Sequence, residues 1–333
     1  MTLHCAHNYA QMLEHTMYLC SRWAARVKSK KSASEIVLSI SPIEELPTEI
    51  LMLIFEEYCD NWSPADKTSL PQLCLSQVNR QWRSIAVSLA SLWTKLAITP
   101  QFSSYIVSVY LKRSQQLPLD LDLDLRYEAT DDFKRDRVLT IWKAVKSSAD
   151  RWRRLTLQLG PQDASAVSED LRELGAPLLE ELEITSSSHV SGITTILDCG
   201  APSLRHLRLI GMSLQRFGPA LNQLTKLDLT TNCPMQFTVF KGLCQKMVKL
   251  EELTLRSRVV EAWPLYPSKD EIIPLPALKV LKVSDRRWPL FIPLLSISAP
   301  ALHTLSLYDL VAHDLPDTFM EPQLRDTTPR SAT

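Results

Sequence analysis

Pro42-Ile43-Glu44-Glu45-Leu46-Pro47-Thr48-Glu49-Ile50-Leu51-Met52-Leu53-Ile54-Phe55 opens the most informative stretch of this 333-residue chain. Pro47 sits where a helix begins, because the first turn has no use for the N–H that proline lacks. Glu49 places a carboxylate at the positive end of the helix dipole. Ile50, Leu51, Ile54, Phe55 and Tyr58 then fall at helical spacing, and Leu53 widens the apolar arc. An arc broader than one small core needs leaves part of it for a partner. Glu44, Glu45, Glu49, Glu56, Glu57 and Asp60 occur with no Lys or Arg among them and read as the wet face. No pocket or contrasting environment, which paired carboxylates need for acid–base work, accompanies them.

Working outward, Asn61 to Pro71 is a break marked by Pro64 and Pro71. A second helical pattern follows through Leu73, Leu75, Val78, Trp82, Ile85, Ala86 and Leu89, with Asn79-Arg80-Gln81 and Arg83 outside it. Trp82 and Trp93 are large apolar anchors, suited equally to a core and to a partner contact. The order Leu46-Pro47-x-Glu49-Ile50-Leu51-x-x-Ile54-Phe55, Leu75-x-x-Val78-Asn79-Arg80-Gln81-Trp82-Arg83-x-x-Ala86 and Leu92-Trp93 resembles the F-box family. The lead-in Ser41-Pro42-Ile43 is similar to the fungal set that combines an F-box with leucine-rich repeats. That resemblance implies a small three-helix module docking on the Skp adaptor of cullin-based (SCF-type) ubiquitin ligases. It implies that Leu46, Pro47, Ile50, Leu51, Ile54, Phe55, Val78 and Trp82 divide between the module's core and its Skp face. The long link from Asp60 to Pro71 departs from many members and leaves the middle helix undefined.

Beyond the module, Trp93-x-x-Leu96-x-Ile98 carries a spacing that returns in Trp152-x-x-Leu155-x-Leu157 and in six later copies centred on Leu182, Leu207, Leu227, Leu253, Leu281 and Leu305. From Leu155 the central leucines advance by 27, 25, 20, 26, 28 and 24 residues. Those steps resemble leucine-rich repeats in period and leucine frame; the family's Asn after the strand occurs only as Asn232. Alternate apolar residues on short strands point inward, and neighbouring repeats bury them against one another. Ala176-Pro177, Ala201-Pro202, Leu275-Pro276 and Ala299-Pro300 lead four of the copies, and Asp163–Leu174 and Phe237–Met247 read as outer helices. Leu117, Leu119, Leu121, Leu123 and Leu125 alternate with Pro118 and three aspartates, predicting a further strand.

Stacked in register, the outward positions form two columns: Arg154, Glu181, His206, Lys226, Glu252, Val280, Thr304, and Thr156, Glu183, Arg208, Asp228, Thr254, Lys282, Ser306. Opposite charges recur on adjacent strands, which predicts a self-neutralising ladder on the central strands. The last strands read as less self-paired. There Arg256, Lys282 and Tyr308, with the loop residues Trp263, Tyr266, Arg286, Arg287 and Trp288, mix cations with aromatics and form the candidate target-binding set. A basic cluster from Lys134 to Arg154 admits nucleic acid, but Phe133, Val138, Ile141, Trp142 and Val145 give it an apolar helical face, and a solvated helix is the preferred reading.

Lys+Arg and Asp+Glu both total 37, so no global field recruits nucleic acid or anionic membrane. Seven Cys at irregular positions with no Cys-x-x-Cys predict reduced, mostly buried thiols and a cytoplasmic or nuclear location. In the leader, Ala10, Leu13, Met17, Cys20, Ala24 and Val27 form a thin helical stripe, and His4, Cys5, His7, His15 and Cys20 match no zinc framework. No signal peptide or membrane span is legible. No phosphate loop, nucleophile elbow or metalloprotease motif occurs, so no catalytic, cofactor or metal residue is assigned. The expectation is an α+β chain: an N-terminal helix or linker (1–40), an F-box-like domain (41–92), a leucine-rich-repeat solenoid (93–320) and a flexible tail (321–333). By resemblance it is a non-enzymatic substrate-recognition subunit that binds a Skp adaptor and its cullin complex through the module and an unknown target protein through the repeats. An interaction scaffold outside any ligase, and a nucleic-acid-binding repeat protein, are the alternatives.

Overall fold

Pro47 does begin the first helix, α1 (Thr48–Asp60), in the computed structural model, which describes residues 43, 46–61, 70–127, 132–186, 196–212, 219–231, 234–284 and 292–308. The leader stripe, Asn232, Arg286, Arg287, Trp288 and the tail lie outside the described residues. Two compact units divide the chain, residues 1–119 and 120–333.

In the first unit, Leu51, Phe55 and Tyr58 are the buried stripe of α1, and the helix closes on Asn61, whose side chain returns to the Glu57 carbonyl and carboxylate at 3.0 and 2.7 Å. The second helical pattern is two helices, not one: α2 (Pro71–Val78) and α3 (Arg80–Ser88). Asn79 is the reason. Its backbone is extended (φ −153°, ψ −178°), and its side chain accepts from the Trp82 N–H at 2.8 Å, capping the new helix. Trp82 packs on Phe55 with ring centroids 4.8 Å apart and tilted by 57°. Both aromatic anchors are core: Trp93, in a short 3-10 turn (Ala90–Trp93), is fully buried and donates to the Ala86 carbonyl at 2.8 Å. Strand β1 (Lys95–Ile98) and helix α4 (Ser104–Arg113) complete the unit. Buried Gln72 ties α2 to both ends of it, donating to the Leu92 carbonyl and accepting from the Tyr110 hydroxyl, each at 2.7 Å. Tyr110 meets Trp93 edge-on, and the Arg113 guanidinium lies 4.4 Å from the Trp93 ring centroid.

The second unit is built around strands taken in chain order: β2 (Leu119–Leu125), β3 (Trp152–Leu159), β4 (Glu181–Ser186), β5 (His206–Ile210), β6 (Lys226–Thr230), β7 (Glu252–Arg256), β9 (Val280–Ser284) and β11 (Thr304–Tyr308). From β3 onward every neighbouring pair is parallel, and the central leucines stand in register: Leu155, Leu182, Leu207, Leu227, Leu253, Leu281 and Leu305. These leucines are buried up to Leu281; Leu305, on the last described strand, is 45% exposed. The period-two leucines of β2 are all buried from Leu119 to Leu125, whereas Leu117 precedes the strand and is exposed.

Each of the seven strands from β3 to β11 in this sheet is entered through the same turn. The N–H of Trp152, Leu179, Leu204, Leu224, Leu250, Leu278 and Leu302 bonds the carbonyl three residues earlier, at Ala149, Ala176, Ala201, Leu221, Met247, Leu275 and Ala299. Seven copies therefore share one frame, of which the Pro-bearing leads marked four.

The return segments carry α5 (Asp132–Lys146), α6 (Ala164–Arg172), α7 (Phe237–Cys244) and α8 (Ile292–Ser296), with α6 and α7 where the sequence placed outer helices. A second parallel pair, β8 (Ile273–Pro274) with β10 (Ile297–Ser298), links two of these segments. Val138, Ile141, Trp142 and Val145 bury the α5 face as expected; Phe133 does not join them and is 73% exposed under the Arg137 guanidinium.

Candidate functional site

The first candidate surface lies on α1. Its core stripe takes Leu51, Phe55 and Tyr58 inward. Ile50, Leu53 and Ile54 sit beside that stripe, and Pro47 lies one turn before Ile50, so the four line one side of the helix. Leu53 is 61% exposed, Pro47 is exposed, and Ile50 and Ile54 are half-buried. The eight module residues named from the sequence thus separate: Leu46, Leu51, Phe55 and Trp82 are core, while Pro47, Ile50, Ile54 and Val78 keep accessible surface. Leu53 was legible only as a widening of the arc. Leu73 on α2 and Val87 on α3 are also exposed apolar residues, at 39% and 38%, and no sequence feature singled them out as surface. The carboxylates nearby serve structure: Glu56 accepts from Ser91, and Asp60 pairs with Lys95 at 2.7 Å.

The second candidate surface is the outward face of the strands in the other unit. Both columns read from the sequence exist in the predicted register. In the first, Glu181 lies between Arg154 (3.3 Å) and His206 (3.2 Å). In the second, Arg208 lies between Glu183 (3.4 Å) and Asp228 (3.5 Å). Such exposed pairs are each worth about 0.2–1 kcal/mol, so the ladder positions charge more than it stabilises.

The last strands are paired too, which corrects the expectation that they were not. Arg256 reaches Asp228 at 3.6 Å, and Lys282 reaches Glu252 at 2.7 Å while Lys226 holds the same carboxylate at 3.0 Å. Burial alone would raise the Glu252 carboxyl pKa; the hydrogen bonds from Lys282 and Lys226 outweigh it and hold it below the ordinary value. The Glu252 hydrogen bond in turn raises Lys282.

Of the other candidate target-binding residues, Trp263 is a packing residue. It is buried between Phe237 and Phe240, at 5.8 and 5.6 Å between ring centroids, so its surface is taken. It anchors a loop whose next residues, Leu265 and Tyr266, stand out at 56% and 94% exposure. Tyr308 is half exposed in the same outward column as Arg256 and Ser284.

Half of the basic cluster is already committed: Arg151 is buried, Arg153 makes a bidentate pair with Asp120 at 2.8 and 2.7 Å, Arg154 pairs with Glu181, and Lys146 pairs with Asp170.

Among the described residues no three His, Cys, Asp or Glu converge as metal ligands, and no helix is long and apolar enough to cross a membrane. Of the four described cysteines only Cys244 is buried; Cys59 and Cys74 are half-buried and Cys199 is exposed, so "mostly buried" does not describe them. Burial, with Asp60 next in effect, pushes the Cys59 thiol up to about 12, away from thiolate chemistry.

A comparison with curated proteins found no match to the chain. Residues 43–99 match the F-box-like family model, and that span takes in α1, α2, α3, the Trp93 turn and β1. F-box domains bind Skp-type adaptors in SCF ubiquitin ligases. Three helices closed by the Phe55–Trp82 contact, with Pro47 and Leu53 left outside that core, are thus an F-box-like domain covering residues 43–99.

Proposed function

We propose that this protein is a substrate-recognition subunit of an SCF-type cullin ubiquitin ligase, acting in the cytoplasm or nucleus and catalysing nothing itself. The observation that carries the reading is the apolar arc of Pro47, Ile50, Leu53 and Ile54, exposed or half-buried on the first helix of an F-box-like domain. An exposed leucine flanked by half-buried isoleucines is surface suited to a partner, and we assign it to the Skp adaptor because it belongs to the F-box-like domain. We read the second unit as a leucine-rich-repeat solenoid, on the strength of its parallel strands in chain order and the entry turn that seven of them share. Its strand face holds the target. Ubiquitin transfer is then by proximity: the target lysine is carried to a charged ubiquitin carrier supplied by other subunits.

Co-purification with a recombinant Skp adaptor tests this directly. The intact protein retains the adaptor, and Pro47→Ala with Leu53→Asp releases it. Leu46 is a poor choice for the same test, because it is buried and its loss would be confounded with unfolding. Indifference of the intact protein to every Skp adaptor tried would sink the ligase reading and leave the interaction scaffold. The nucleic-acid reading loses ground to the pairing of Lys146, Arg153 and Arg154 and to the burial of Arg151.

A further inference from the structure

We propose that the β5–β9 half of the strand face docks an extended, carboxylate-rich segment of the target protein. This rests on the reading of that face as target-holding and adds the chemistry it selects. Four cations rise from these strands, Arg208, Lys226, Arg256 and Lys282, and two carboxylates, Asp228 and Glu252. Each carboxylate already serves two cations: Asp228 takes Arg208 and Arg256, and Glu252 takes Lys226 and Lys282. Arg208 also reaches Glu183 of β4 at 3.4 Å, so one positive charge is left over.

The charges are also layered. The carboxylate side chains are sunk, 12% exposed at Asp228 and 22% at Glu252, while the four cations stand above them at 32–46%. A partner approaching this half meets guanidinium and ammonium groups before it meets any carboxylate. The other half has the opposite excess. Strands β2 to β4 turn Asp120, Asp122, Asp124, Glu181 and Glu183 outward, against Arg153 and Arg154 and, just past β2, Arg126. A face with one sign at each end orients a charged partner as well as attracting it.

Spacing sets the length of the occupant. Adjacent strands lie about 4.8 Å apart, so Arg208 and Arg256, and likewise Lys226 and Lys282, are two strand spacings apart across the sheet and two residues apart along it, about 12 Å in all. An extended chain advances about 3.3 Å per residue, so acidic residues about four apart, as an alternating acidic sequence supplies, bridge each pair. The carboxylates complete ion pairs with cations that have more positive charge than Asp228 and Glu252 neutralise.

The test uses the full-length protein in complex with a Skp adaptor and a fluorescent peptide of alternating Glu and Ser, with a Lys–Ser peptide of equal length as control. Anisotropy shows the acidic peptide bound and the basic one not, with affinity falling as salt is raised. Arg256→Gln with Lys282→Gln leaves Asp228 with Arg208 and Glu252 with Lys226, and so preserves the fold. It weakens the acidic peptide by about tenfold or more. Arg154→Gln, in the opposite half, leaves the affinity unchanged. Equal binding of the two peptides, or an unchanged affinity in the double variant, overturns the proposal. So does an oligonucleotide that binds through Arg256 and Lys282 where the acidic peptide does not. Adaptor retention measured on the same samples separates the two readings. Failure of the unsubstituted protein to bind the acidic peptide while it retains the adaptor overturns only the acidic-segment proposal, and failure to retain the adaptor while it binds the peptide overturns only the ligase reading.

Discussion

Leu51 and Leu53 lie two residues apart on α1 and should fail in opposite ways. Leu51 is fully buried beside Phe55, and Leu53 is 61% exposed. Truncating a buried leucine to alanine costs about 2.7–5.0 kcal/mol, the lost transfer energy plus the cavity left behind. For a unit of this size that lowers Tm by about 10 °C or more. Leu53→Ala removes nothing from the core, so its effect on stability stays within about 0.5 kcal/mol. Its cost falls on docking. Fully burying a leucine is worth about 1.5–3 kcal/mol, and covering the exposed fraction of Leu53 is worth about 1–2 kcal/mol. That corresponds to about 5- to 30-fold in Kd. Titration of each variant with a labelled Skp adaptor, alongside thermal melting, reads both quantities on the same preparation. The expected pattern is a wild-type melt with weakened adaptor binding for Leu53→Ala, and a depressed melt for Leu51→Ala. Wild-type adaptor affinity in Leu53→Ala, or a wild-type melt in Leu51→Ala, would refute the division of α1 into a core stripe and a docking arc.

Three further outcomes follow from single contacts. Gly211 has φ +73°, and a Cβ there would run into the Ser186 carbonyl oxygen, so Gly211→Ala destabilises the second unit by more than about 1 kcal/mol in urea unfolding. Tyr110→Phe strips Gln72 of the hydroxyl it accepts from in a buried site, and costs about 1–3 kcal/mol by the same assay. Glu252 has its folded pKa depressed, so its contribution is present above the ordinary carboxyl value of 4.5 and is lost as pH falls through the lower folded value. Melting temperature therefore drops as pH falls from the ordinary value of 4.5 through that lower one, and Glu252→Gln shows a shallower drop.

Where the sequence was legible, one period and one side chain decided the matter. Inward leucines at period two leave no freedom of register, because a slip of one residue would turn Leu182 or Leu253 to solvent. That is why the outward columns follow from the sequence alone. Other features depended on contacts the sequence does not display. Asn79 looked like one polar residue among several outside a helical stripe; its role as a cap depends on the extended backbone that breaks the helix there. Trp263 and Tyr266 are three residues apart in one loop, and only the position of Phe237 and Phe240 decides that the first is buried and the second is not. Ile50, Leu51, Leu53 and Ile54 are all apolar, so which of them face outward is settled by where Trp82 packs.

The strand-face charges show the same limit in a sharper form. Columns record directly opposed residues, and by that count Arg256 opposes Thr230 while Lys282 opposes Thr254, so both looked unpaired. Their long stems reach diagonally instead, Arg256 to Asp228 and Lys282 to Glu252, within the span that diagonal cross-strand neighbours allow. Length also decides which sign faces outward. Asp and Glu are short and settle against the sheet, whereas Lys and Arg lay their methylenes over it and lift the charge into solvent. A face with nearly balanced charge by composition can therefore present one sign to a partner. In this chain, where Lys+Arg and Asp+Glu both total 37, the sorting of charge along and above the sheet, rather than any net excess, gives the strand face its polarity.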